Sequence, residues 1–438
     1  MNNFLLAIFS AAMLVFSLGL NKDFLRPSVV FSVGFLYSSL ILAANTNNWD
    51  YELSMPTVLL ISASQLAFWL GERLGFRVSA PPWRQPTNSL RSEKILDKRA
   101  DMLFGLGFVL CLSLLLVRAR NVSNIVAAYG TGDYLLASVR AYGRGEESFS
   151  AGLKFLEVFC SVFAYHFLHR FFWLSSRFNV RRFRYLILIS MLIIASILSS
   201  DRSGILGVIF VSTLIWLFTL RSLNRQISIP FKTVRNIFLV LLTGLFLFAA
   251  LGNLTGKTQR FGVVDSIMVY SAGSLGALDI FLQSHDKEPQ FGYHTFESIK
   301  RIGSLLGFKV KYNSDYYGHG DFVIVGRVTN NIYTCFRHYV FDYGWMGTEI
   351  LLILLGACWG FYYRKFVFFR LYHPVNYVIY SNLVLFVFFS FLTERMFAGT
   401  LTATMIAQVV AFLLLYAVLP MPSDGFIRSQ SPVRGLIK

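Results

Sequence analysis

Eleven apolar stretches, most of roughly 17 to 23 residues, run through this chain near residues 4–20, 28–44, 56–71, 101–117, 151–173, 185–200, 204–220, 236–252, 344–362, 374–392 and 397–419. About 20 apolar residues in helical form cross a ~30 Å hydrocarbon core. Because lipid offers no hydrogen bonds, a spanning segment must satisfy its own backbone, which a helix does. The stretches 56–71 and 185–200 are short, so the reading is an all-α polytopic membrane protein with about 11 (10–12) transmembrane helices. With 55% hydrophobic and only 14% charged residues, a soluble chain of several domains is excluded. Residues 1–438 therefore read as a single integral membrane domain. The first stretch has no positive residue ahead of it and no small-residue cleavage site behind it, so it reads as a retained span and not as a secretion signal.

Lys and Arg set the orientation. Dense positive charge falls in alternate connections: 72–100 (Arg73, Arg77, Arg84, Arg91, Lys94, Lys98, Arg99), 174–184, 221–235 and 363–373. With Lys22, Arg26 and the C-terminal Arg428, Arg434 and Lys438, these hold 23 of the 40 basic residues, and the positive-inside rule makes them cytoplasmic. The formal net charge of +17 is then mostly topology. Spread over several short loops beside spans, it lacks the gathered basic face that nucleic acid requires. The opposite side receives 118–150 and the long loop 253–343, whose nine Lys/Arg nearly balance eight Asp/Glu. By the same rule these face the outer side.

The long loop carries the densest chemistry. Residues 264–282 are near-apolar with helical spacing and suggest a helix lying at or dipping into the membrane surface. A second helix is expected to start at Thr329 or Asn330 as cap and to lead into the span at 344. On it Thr334, His338 and Asp342 recur every four residues and share a face, with Asn331 a turn earlier. A carboxylate one turn from an imidazole can fix its tautomer and raise its basicity, as a general base requires. Interfacial solvation is the plainer alternative.

Elsewhere on that side, the turn at Asp201 to Gly204 between two spans holds Arg202 at the start of a helix, where amides and a guanidinium suit a phosphate. An Asp201 cap with a snorkelling Arg is the other reading. Glu394 and Arg395 occupy a similar turn, and the 118–150 loop adds Arg140. Charged groups at such depth are site candidates by default. Cys111, Cys160 and Cys358 fall in spans and Cys335 stands alone, so no disulfide framework or metal-ligand spacing is present.

The set YSAGSLGALDIFL (270–282), GYHTF (292–296), TNNIYTCFRHYVFDYGWMG (329–347) and SSDRSG (199–204) resembles the Wzy-type polymerases of oligosaccharide repeat units, which build O-antigen, common-antigen and capsular chains. Asn331, Tyr333, Thr334, Asp342 and Gly344 fall on that family's most specific pattern. The motifs cover about a fifth of the chain. The resemblance implies a GT-C-like glycosyltransferase that works at the periplasmic face without metal or cofactor. It would move a growing glycan from undecaprenyl pyrophosphate onto a second lipid-linked repeat, beside a Wzz-type chain-length-regulating copolymerase.

The residues suit that chemistry independently. Arg202, Arg337 and Arg395, with Arg140 as a fourth contact, would meet the charge that grows on a pyrophosphate leaving group. His338 supported by Asp342 would take the acceptor proton, with Glu394 or Asp342 acting directly as the alternative. Asn331, Tyr333 and Thr334 would line the sugar or pyrophosphate. An O-antigen ligase shares this donor, and a lipid-linked oligosaccharide flippase is a further rival. A flippase needs polar or ionised residues inside its spans around a central cavity.

Overall fold

The computed structural model describes residues 1–19, 23–78, 93–129, 151–174, 180–199, 202–224, 263–284, 289–309, 322–330, 332–368, 374–392 and 396–420. The expected span at 236–252 lies outside them. In chain order the helices are α1 (Asn2–Gly19), α2 (Pro27–Ala44), α3 (Thr46–Trp49), α4 (Met55–Val78), α5 (Glu93–Tyr129), α6 (Ala151–Trp173), α7 (Leu186–Leu198) and α8 (Arg202–Asn224). After them come α9 (Val263–Ser284), α10 (Glu297–Leu305), the strands β1 (Val323–Val325) and β2 (Val328–Asn330), then α11 (Phe336–Tyr362), α12 (Pro374–Phe388) and α13 (Ala403–Val418).

Among the described residues, six helical segments are long and apolar enough to cross a membrane: Asn2–Gly19, Pro27–Ala44, Lys98–Asn124, Gly204–Ser222, Phe336–Phe368 and Pro374–Phe391. Each coincides with an expected stretch. The stretches at 56–71, 151–173, 185–200 and 397–419 are also helical, as α4, α6, α7 and α13, but shorter or less apolar.

The closest packing in the bundle is between α4 and α11. A Cβ built on Gly71 would lie 2.0 Å from the Ile353 carbonyl oxygen, and one on Gly75 would lie 2.1 Å from that of Ala357. From the other side, Gly356 faces the Phe68 oxygen at 2.2 Å and Gly360 the Glu72 oxygen at 2.4 Å. Two small-xxx-small pairs thus meet face to face. Between apolar helices the hydrophobic effect gives no net pull, and close backbone approach supplies the attraction instead.

Buried charge closes one end of the bundle. The Arg221 guanidinium donates to both oxygens of Asp23, at 2.9 and 3.2 Å, and Tyr363 donates its hydroxyl to Asp23 at 2.7 Å. Arg26 pairs with Glu72, which also accepts from the Ser28 hydroxyl. Asp23, Arg26, Glu72 and Arg221 are all buried, so part of the positive charge at the loops 22–26 and 221–235 is structural ion pairing and not free surface charge. Removing one partner of such a pair is costly because it strands the other.

The opposite end is built around Asp279 of α9. Its carboxylate accepts from the hydroxyls of Tyr51, Ser54 and Thr57, the Ser54 amide and the Gln283 side chain. Together these tie the connection after α3 to α9. From residue 268 onward α9 is buried on nearly all sides, with Ala272, Leu275, Ala277 and Leu278 inaccessible and the Ser38 hydroxyl donating to the Ser271 carbonyl. The helix expected at 264–282 is present, and from residue 268 onward it packs inside the bundle instead of lying on its surface.

Thr329 and Asn330 do not cap a helix. They pair as the second strand of a short antiparallel hairpin, with Val323 opposite Asn330 and Val325 opposite Val328. Gly326 turns the hairpin at φ +58°, a conformation that L side chains rarely adopt, and a Cβ there would meet the Trp49 carbonyl oxygen. The helix instead starts at Phe336, whose amide donates to the Thr334 hydroxyl.

Candidate functional site

Gly344 divides α11. At φ +67° and ψ −171° its backbone is not helical, so the turns from Phe336 to Tyr343 stand as a separate segment ahead of the rest of the helix. Pro289 packs over the break, and the Gln290 amide donates to the Phe341 carbonyl at 3.1 Å. The turn 289–296 is thereby laid across the upper segment of α11.

Asp342 fixes this turn. Its carboxylate accepts the amides of His294, at 3.0 Å to each oxygen, and of Thr295 at 2.6 Å. Charge-assisted bonds of this kind are about twice as strong as neutral ones. The spacing of four does put His338 and Asp342 on one face, but the carboxylate is bonded to backbone amides. Asp342 acts on the imidazoles through the turn it holds.

The His294 ring then stacks on the His338 ring, with centroids 4.7 Å apart and planes within 20°. Phe341 and Tyr293 meet the His294 ring edge-on at 4.7 and 4.8 Å. One residue away, the Arg337 guanidinium lies 3.9 Å over the Tyr333 ring and 5.4 Å from that of Phe281. Lys300 donates to the Tyr293 carbonyl at 3.1 Å and sits over that ring. His294, Arg337 and His338 are each partly buried. The result is two stacked imidazoles and a guanidinium at the edge of an aromatic cradle, an arrangement able to accept a proton and to bind an anion.

Burial, with the Arg337 and Lys300 charges beside it, pushes His294 down to about 4. At neutral pH it is an uncharged imidazole. A chain out of this fold takes up a proton near the ordinary histidine value of about 6.5, whereas the folded one resists it. Stability from this group is therefore complete above pH ~6.5 and is lost as pH falls towards 4. The thermal midpoint of the wild type minus that of His294→Gln should fall across this window. A constant difference would remove His294 from the acid response.

The structure gathers Tyr333, Thr334, Arg337, His338 and Asp342 into one stretch. Tyr333 is buried beneath Arg337, and the Thr334 hydroxyl accepts the Phe336 amide, so both support the helix start. Arg202 opens α8, with its side chain outside the described residues. Asn331, Arg140, Glu394 and Arg395 also lie outside the described residues, so of the three converging arginines expected, Arg337 alone is placed. Among the described residues no group of three or more His, Cys, Asp or Glu side chains could hold a metal ion.

His294, Tyr293 and Lys300 are the site residues that sequence reasoning passes over. The segment GYHTF was on view, but stacking across 44 residues has no periodic signature. Neither a family model nor a curated protein nor a solved structure matches the chain.

Proposed function

We propose that this protein polymerises lipid-linked oligosaccharide repeat units, as a GT-C-like glycosyltransferase of about eleven spans in a bacterial inner membrane with its active site facing the periplasm. The observation that carries the reading is the parallel stack of His294 on His338 beside Arg337, at the end of the chain's membrane-crossing helices. The motif resemblance supplies the substrate class, a glycan on undecaprenyl pyrophosphate.

In this reading a hydroxyl of the acceptor repeat attacks the anomeric carbon of the donor glycan. The new glycosidic C–O bond forms, the bond to pyrophosphate breaks with its electron pair, and the hydroxyl proton passes to His338. His294 stacks on that ring and fixes its plane, while Asp342 holds His294 in place. Arg337 meets the charge developing on the departing pyrophosphate, joined by Arg202, Arg395 and Arg140. Arg on an aromatic face bonds through its edge, which matches a phosphate oxygen pair. Undecaprenyl pyrophosphate leaves, and a Wzz-type copolymerase sets chain length.

Deleting the gene and resolving surface glycan by gel tests the assignment. Loss of the ladder with a single repeat retained on the lipid core is expected. Loss of the single repeat as well would point to ligation or flipping, the two rival activities.

A further inference from the structure

Helix α10 reverses the usual polarity of an amphipathic helix. A helix facing water turns its apolar stripe inward and its charged residues outward. Here, among the described side chains, Glu297 and Ser298 are buried, with Arg301 pairing to Glu297 at 3.3 Å and the Ser298 hydroxyl donating to the Ala398 carbonyl at 2.7 Å. Ile299 and Leu306, seven positions apart and so on one face, are 45% and 72% exposed. Phe308 just beyond is 65% exposed, and Phe291 in the preceding turn is 82% exposed. A contiguous apolar surface of this kind marks a site of interaction with a partner or a membrane.

Two further observations say which of these it meets. Phe291 packs edge-on against Tyr343 at 5.2 Å, and immediately past it the membrane-crossing part of α11 exposes Met346, Ile350 and Leu354 at intervals of four. The apolar surface of the turn is thus continuous with a surface that faces acyl chains. Charge is the second. Within 289–309 the acid is Glu297, buried and paired, while Lys300 and Lys309 flank the apolar stripe.

We propose that α10 and its flanking turns, residues 289–309, form an interfacial anchor seated at the acyl–headgroup boundary of the adjacent leaflet, with Lys300 and Lys309 on anionic phospholipid headgroups. The anchor holds the His294 turn at headgroup depth. It depends on the chain's being a membrane protein and not on the transferase reading.

The test uses the full-length protein with Cys358, the exposed native cysteine, changed to Ser and with Leu306→Cys or Phe308→Cys carrying a nitroxide. The labelled protein is reconstituted in nanodiscs of phosphatidylglycerol or of phosphatidylcholine. In phosphatidylglycerol both labels should collide more with oxygen than with an aqueous nickel chelate. Lys300→Gln and Lys309→Gln should each weaken that insertion roughly fivefold there, with little change in phosphatidylcholine. Labels more accessible to nickel than to oxygen overturn the anchor, and equal insertion in both lipids overturns its anionic preference. Spin–spin broadening between two copies would assign the face to self-association and overturn it as well.

Discussion

Gly356→Leu should leave little folded protein. A Cβ at this position falls 2.2 Å from the Phe68 carbonyl oxygen and 3.0 Å from the Glu72 amide nitrogen, so the side chain meets backbone that cannot rotate away. The two helices would have to separate, releasing the reciprocal contacts of Gly71, Gly75 and Gly360 together. Overpacking a core usually costs about 1–3 kcal/mol, and here the obstacle is helix backbone on both sides, so the upper end of that range or beyond is expected. Gly105→Leu is the control, because a Cβ there meets nothing within 4 Å. Size-exclusion profiles and thermal midpoints in detergent should show the Gly356 variant aggregated or strongly destabilised and the Gly105 variant near wild type. Equal behaviour would mean that α4 and α11 are not packed backbone to backbone.

His338→Ala should abolish chain extension while leaving the protein inserted. A positioned general base is worth typically 10²–10⁴-fold in rate, and a loss in that range removes a visible ladder. His294→Ala should cost less if, as proposed, its ring supports His338 and does not itself take the proton. Asp342→Asn keeps the shape of the carboxylate but weakens its bonds to the His294 and Thr295 amides. Its effect should therefore resemble that of His294→Ala more than that of His338→Ala. A His338→Ala strain that still produces long polymer would end the assignment of the base.

The membrane character was legible because it is a matter of run length: an apolar stretch of spanning length leaves a chain few alternatives to a helix. Other features were lost for identifiable reasons. Thr329 and Asn330 look like helix caps, yet VIV-GR-VTN is a pair of β-branched runs about a two-residue turn, and that signal should have outweighed the caps. The residues at 264–282 were read from periodicity, which cannot say whether a helix lies on a surface or inside a bundle. Gly71, Gly75, Gly356 and Gly360 are ordinary spacing until two helices are known to be neighbours.

At the site, the four-residue interval of His338 and Asp342 correctly placed them on one face. It could not reveal that two amides from a turn 47 and 48 residues earlier would take the carboxylate. Competition among donors is decided by tertiary approach, and a single helix face shows only one of the competitors. His294 was hidden by the same fact seen from the other side, since its importance exists only once that turn is laid over α11.

We propose that the His338 cluster transfers glycan between two lipid-linked repeats. That transfer is tested most directly by purified protein in nanodiscs supplied with a polyprenyl-pyrophosphate-linked repeat unit and no other protein. A ladder of products, one polyprenyl pyrophosphate released for each linkage formed, and loss of both signals in His338→Ala are expected. Repeat units crossing the bilayer unlinked, or a ladder undiminished in that variant, would contradict it.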